Sequence, residues 1–148
     1  MSKLLLVIGI CQIIAGVVIV GLIAKNFHDT ATSDLIPEVE KVQAFGPVLI
    51  GLLVIVNGVF GVLTMCCAGN KKMDVFYLMG ATVAASASAA MVWIYAINIK
   101  RCDDAGIFSV CSDENYNINV TILVFSIICC AMSVFGMVTT SLGICRKL

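Results

Sequence analysis

Residues 80–91 read GATVAASASAAM, a stretch built almost wholly from the smallest side chains, inside a longer run, Val75 to Ile99, that carries no charge. In water such a surface would be a poor core, because small side chains bury little apolar area. In a bilayer the argument reverses. Lipid tails are as apolar as leucine, so helices gain little from hiding oily side chains and associate through close van der Waals approach, which small residues permit. The stretch is therefore read as a docking surface on a transmembrane helix.

The rest of the chain agrees with that setting. Of its 148 residues 61% are hydrophobic and 12% charged, and the mean hydropathy is +1.09, well outside the range of ordinary water-soluble domains. Apolar runs fall at about Leu4 to Ala24, Gly46 to Cys67, Val75 to Ile99 and Ile118 to Ile144. Each meets the length of roughly 20 residues needed to cross a hydrocarbon core, and none contains Asp, Glu, Lys, Arg or His. The first run is longer than the apolar segment of a signal peptide and closes on LIAKNF, without a small-x-small cleavage site. It is expected to be a retained helix.

The reading is thus all-α: one domain over residues 1–148, an integral membrane four-helix bundle with two short outer loops. With the N-terminus in the cytosol, the inner side holds Lys3, Lys71, Lys72, Arg146 and Lys147 and the outer loops hold Lys25, Lys41, Lys100 and Arg101. That count favours cytoplasmic N- and C-termini. The inner connection AGNKKMD, residues 68–74, is expected to be a tight turn, and with such short tails no folded cytosolic domain is expected. In the first outer loop, SDLIPEVEKVQAF has a cap-like Asp34, Pro37 near a helix start, and Val39 with Val42 on one side. This predicts a short amphipathic extension before Gly46-Pro47, with a solvated loop as the competing reading.

Small residues are phased on every helix. Gly80, Ala84 and Ser88 form a small-xxx-small run on the third, with Ala81 and Met91 in step. Gly9, Gln12 and Gly16 share a face of the first; Gly51, Val54, Gly58 and Gly61 share one of the second; Ser126, Cys129, Ser133, Gly136, Thr140 and Gly143 step along the fourth. Alternating three and four averages 3.5 residues per turn, the period of left-handed packing. The competing reading is that Gly, Ala and Ser are simply common in membrane helices. The third helix carries more small residues than one seam needs, which points to a second contact with another copy.

Gln12 and Asn57 lie near the middle of their helices, at similar depth if the first two run antiparallel. A hydrogen bond between them would fix alignment; the alternative is a polar site lining a pore. The aromatic residues mark interfaces, with Phe76 and Tyr77 at the inner boundary and Trp93 and Tyr95 toward the outer one.

The eight cysteines divide by compartment. Cys102 and Cys111 sit together in the second outer loop, where oxidising conditions favour a disulfide contributing roughly 2 to 3 kcal/mol. Cys66, Cys67 and Cys145 lie at cytoplasmic helix ends beside Lys or Arg and are candidates for palmitoylation, with idle thiols as the alternative. Cys11, Cys129 and Cys130 read as packing residues.

No C-x-x-C pair, histidine cluster, catalytic triad or phosphate loop can be assembled. The lone His28 has no second ligand at metal spacing. No enzyme, cofactor or metal is expected, and balanced charge gives no reason to expect nucleic acid.

GICQIIAGVVIVGL in the first helix (9–22) and PVLIGLLVIVNGVFGVL in the second (47–63), with the small-residue third helix after a short basic loop and a cysteine-paired loop before the fourth, resemble the membrane-spanning four-domains subfamily A proteins. The tryptophan and cysteine signature of claudin-type first loops is missing, as is the CCG loop of tetraspanins. The resemblance implies a non-enzymatic protein of plasma or vesicle membranes that forms homodimers or larger oligomers, associates with other membrane proteins, and sometimes influences cation flux. The function expected is a self-associating organiser or scaffold of membrane partners or membrane structure, with an oligomeric channel or transport-modulating subunit as the alternative.

Overall fold

A computed structural model describes residues 2–31, 38–67, 69–104 and 113–147. Every element in them is an α-helix: α1 spans Ser2–Ala31, α2 Glu38–Cys66, α3 Lys71–Asp104 and α4 Asp113–Lys147. Each contains a segment long and apolar enough to cross a membrane, at Lys3–Lys25, Pro47–Cys66, Lys71–Ile97 and Asn117–Arg146.

The helices outrun the apolar runs because loss of apolar character ends a membrane crossing, not a helix. Once a helix is nucleated, each further residue adds a backbone hydrogen bond for the dihedrals it fixes. Glu38 through Phe45 accordingly join the membrane segment without a break, and the expected extension before Gly46-Pro47 is the first part of α2 itself, with Pro47 inside the helix. Asp34 and Pro37 lie outside the described residues, as does the expected Cys102–Cys111 bridge.

The connection from α2 to α3 is shorter than the sequence suggested. The Cys67 N–H still bonds the Leu63 carbonyl at 2.9 Å, and the Asn70 N–H returns to the Cys67 carbonyl at 3.1 Å. Gly69 lies between with φ +103°, a left-handed conformation that glycine adopts without a Cβ clash. The Asn70 side chain then accepts the Lys72 N–H at 3.1 Å, an N-cap that starts α3 at Lys71. Lys71 to Asp74 therefore form the first turn of α3 rather than part of the loop.

Neighbouring helices run antiparallel. Gly9 faces Gly58 and Gly16 faces Gly51 between α1 and α2; Gly61 meets Tyr77 between α2 and α3. Cys130 approaches Ala85 between α3 and α4, and Gln12 bonds Ser133 between α1 and α4. The four helices close a ring, with the largest interfaces between α1 and α2 and between α3 and α4.

Leu52, Val56, Met79, Val83, Phe135 and Leu142, among other large apolar side chains, point outward. In water, apolar patches beyond a few hundred Å² mark interfaces or aggregation; around a bundle of membrane-length helices they are the lipid-facing surface. The chain is thus built as a multi-pass membrane protein.

Candidate functional site

The interior of the bundle is polar at mid-height. Asn57 Nδ2 donates to Gln12 Oε1 at 3.2 Å, and Gln12 Nε2 donates to Ser133 Oγ at 2.9 Å. Gln12 and Ser133 are 0% exposed and Asn57 is 2%. This chain of bonds ties α2 to α1 to α4 and separates two apolar clusters. One, at the basic end, gathers Leu5, Tyr77 and Ala81; the other includes Ala15, Val54, Ala84, Met91 and Cys129. Since amides in hydrocarbon must find partners, the layer fixes the vertical register of three helices.

Glycine lets those partners meet. A Cβ on Gly9 would lie 2.7 Å from the Gly58 carbonyl oxygen, and one on Gly58 would lie 2.7 Å from the Gly9 oxygen. Two helical turns further along the seam, a Cβ on Gly16 would stand 2.6 Å from Ile55 Cγ1, and one on Gly51 2.7 Å from Val20 Cγ2. Here α1 and α2 touch backbone to backbone. At Gly80 the missing Cβ makes room for an amide instead, since it would sit 2.6 Å from Asn57 Oδ1. Ala84, Ser88 and Gly136 are also buried, while Gly143 is half-buried toward the end of α4.

Tyr77 is the residue the sequence reading misplaced. It does not face lipid but is 0% exposed, with its ring laid across the core into space left by two glycines. A Cβ on Gly61 would come 3.0 Å from Tyr77 Cε2, and one on Gly136 would come 3.2 Å from Cζ and closer still to the hydroxyl. Tyr95 is buried as well, whereas Trp93 is 71% exposed and Phe76 also faces outward. The spacing of α3 already held the signal: Tyr77 and Tyr95 extend the buried stripe Ala81, Ala84, Ser88, Met91 by one step at each end.

Among the described residues the Tyr77 hydroxyl has no hydrogen-bond partner, and neither do Asn57 Oδ1, Ser88 Oγ or Thr140 Oγ1. Replacing an unpaired buried hydroxyl by hydrogen removes a desolvation cost. Tyr77→Phe is therefore expected to change stability by no more than about 1 kcal/mol, in the favourable direction. Gly136→Ala should cost about 1 to 2 kcal/mol through overpacking, and less when combined with Tyr77→Phe. Detergent-titration unfolding of the three variants checks both the sign and the coupling.

Ser126 and Thr139 return their hydroxyls to the carbonyls of Ile122 and Phe135, which satisfies them within α4. Among the described residues no three His, Cys, Asp or Glu side chains gather as metal ligands would. What the arrangement supplies is alignment: two amides and a hydroxyl set depth, and glycines set distance. Comparison with family models, curated proteins and solved structures finds no match to the chain.

Proposed function

We propose that the chain is a non-enzymatic tetraspan protein of the plasma membrane or vesicle membranes that self-associates, as a dimer or larger homo-oligomer, and organises membrane partners or membrane structure. The observation that carries this reading is the outer face of α3. Its inner stripe, Ala81, Ala84 and Ser88, is buried, yet Ser86, Ala89 and Ala90 are exposed on the opposite side, with Thr82 at the α4 edge, its hydroxyl 3.2 Å from Met137 Sδ. Met79, Val83 and Trp93 are exposed around this patch, which is a window of small residues in an apolar face, whereas the outward faces of α1, α2 and α4 are lined mainly with Val, Leu, Ile and Phe.

The outer hydroxyls need nothing from a partner. Thr82 Oγ1 donates to the Leu78 carbonyl at 2.8 Å and Ser86 Oγ to the Thr82 carbonyl at 3.0 Å. Between Met79 and Trp93 the patch is small and internally satisfied, the kind of surface on which a second helix approaches closely. Left-handed packing follows from the alternating three and four spacing of the seams. The basic end, with exposed Lys3, Lys71, Lys72 and Arg146, would face the cytosol, and both termini with it. Self-association agrees with what the resemblance to the membrane-spanning four-domains subfamily A proteins implies.

Native mass spectrometry of gently extracted protein tests the reading. A dimer or larger species is expected, and Ser86→Leu with Ala90→Leu should shift the population toward monomer at least tenfold. A wild-type protein that is monomeric at every concentration would overturn it.

The four unpaired oxygens of the interior favour a second reading, a transport-modulating subunit or channel. No Asp, Glu, Lys, Arg or His stands within the apolar runs to carry charge across, and flat planar-bilayer recordings would remove this reading.

A further inference from the structure

The six described cysteines sort by depth. Cys129 is buried, Cys11 and Cys130 are half-buried, and Cys66, Cys67 and Cys145 are exposed. All three exposed thiols stand at the basic end of the bundle, because α2 and α4 both terminate there. Cys66 is the last residue of its membrane-length segment and Cys145 lies within the final turn of another. The Cys67 N–H bond to Leu63 and the return bond from Asn70 hold that thiol at the same boundary rather than on a free loop. Lys71, Lys72 and Arg146 are exposed beside them.

We infer that Cys66, Cys67 and Cys145 form a cluster of S-acylation sites that take long-chain fatty acyl groups from acyl-coenzyme A. A thiol needs three things for this: access, the height of the membrane surface, and a neighbourhood that tolerates an anionic donor. Exposure supplies the first, the ends of two membrane segments the second, and the flanking cations the third. In the transfer, the cysteine sulfur attacks the thioester carbonyl and a new carbon–sulfur bond forms as the bond to coenzyme A breaks. The cysteine proton leaves with the coenzyme A thiol, and no oxidant or reductant is consumed. An acyl chain attached at this height can fold straight back into the bilayer. α2 and α4 occupy opposite corners of the ring, so the chains would anchor two sides of the bundle.

The inference rests on the basic end facing the cytosol, where the donor is found, and not on self-association. The experiment is acyl-resin or mass-tag exchange on the full chain expressed in animal cells. After free thiols are blocked, hydroxylamine should release up to three taggable cysteines. Peptide mapping should place them at Cys66, Cys67 and Cys145 and never at Cys129 or Cys130. Cys145→Ser should lose one tag, and Cys66→Ser/Cys67→Ser/Cys145→Ser should lose all of them. A tag-free wild type, or tags that persist in the triple variant, would overturn the proposal. An impermeant maleimide applied to intact cells separates the orientation: labelling of Cys67 from outside would overturn the topology, whereas an unlabelled, tag-free protein would overturn acylation alone.

Discussion

Gly58→Leu is expected to destabilise the bundle by about 3 kcal/mol or more, the largest loss among single substitutions at the seams. The first carbon of the new side chain would already stand 2.7 Å from the Gly9 oxygen, 2.8 Å from Ile13 Cγ1 and 3.1 Å from the Ile13 nitrogen. Two of those three atoms are backbone and cannot rotate aside, so α1 and α2 must part. Asn57 is the preceding residue, and parting the helices also stretches its bond to Gln12. Gly21→Leu is the control. A Cβ there meets nothing within 4 Å, and the side chain would enter lipid, so the change should stay within about 1 kcal/mol. Unfolding by detergent titration compares the two variants directly. Equal effects would mean that the backbones do not meet where Gly9 and Gly58 face each other.

Gln12→Leu should cost about 2 kcal/mol, because the amide stands at the centre of the bond chain. Its loss strands both the Asn57 amide and the Ser133 hydroxyl, each buried in the bundle interior. Membrane hydrogen bonds individually contribute about 0.6 to 1.7 kcal/mol, so two of them bound the expected loss. Asn57→Leu alone removes one bond and should cost less. Gln12→Leu combined with Asn57→Leu should cost less than the sum of the singles by about 1 kcal/mol, since both remove the same bond. A purely additive pair would show that the two amides act independently.

Several of these features were legible because they depend on one helix at a time. The absence of charge marks the four segments, and the alternation of three and four identifies Gly9, Gly16, Gly51 and Gly58 as one face of each helix. The depth of Gln12 and Asn57 can be matched by counting residues from the helix ends, given an antiparallel pair. Ser133 shares a readable stripe on α4, but its bond to Gln12 depends on the register between the first helix and the last. Nothing local sets that register.

Tyr77 escaped for a different reason. An aromatic near a lysine pair was assigned by depth, as interfacial residues usually can be, when its place on the inner stripe of α3 decided the matter. The start of α3 was missed because Asn70 caps through its side chain while Lys71 and Lys72 look like loop. Polar residues end a hydropathy run without ending the helix that carries them.

The central claim, that the second small face of α3 holds another copy, is tested most directly by cysteine cross-linking in native membranes. With all eight native cysteines replaced by serine or alanine, single cysteines at Ser86 and Ala90 are compared with cysteines at Val7, Val56 and Ile127, which stand on the other three helices. Rapid oxidation to a covalent dimer at Ser86 and Ala90, and at neither Val7, Val56 nor Ile127, is the predicted result. Cross-links that form equally at all five positions, or only on α1, α2 or α4, would contradict it.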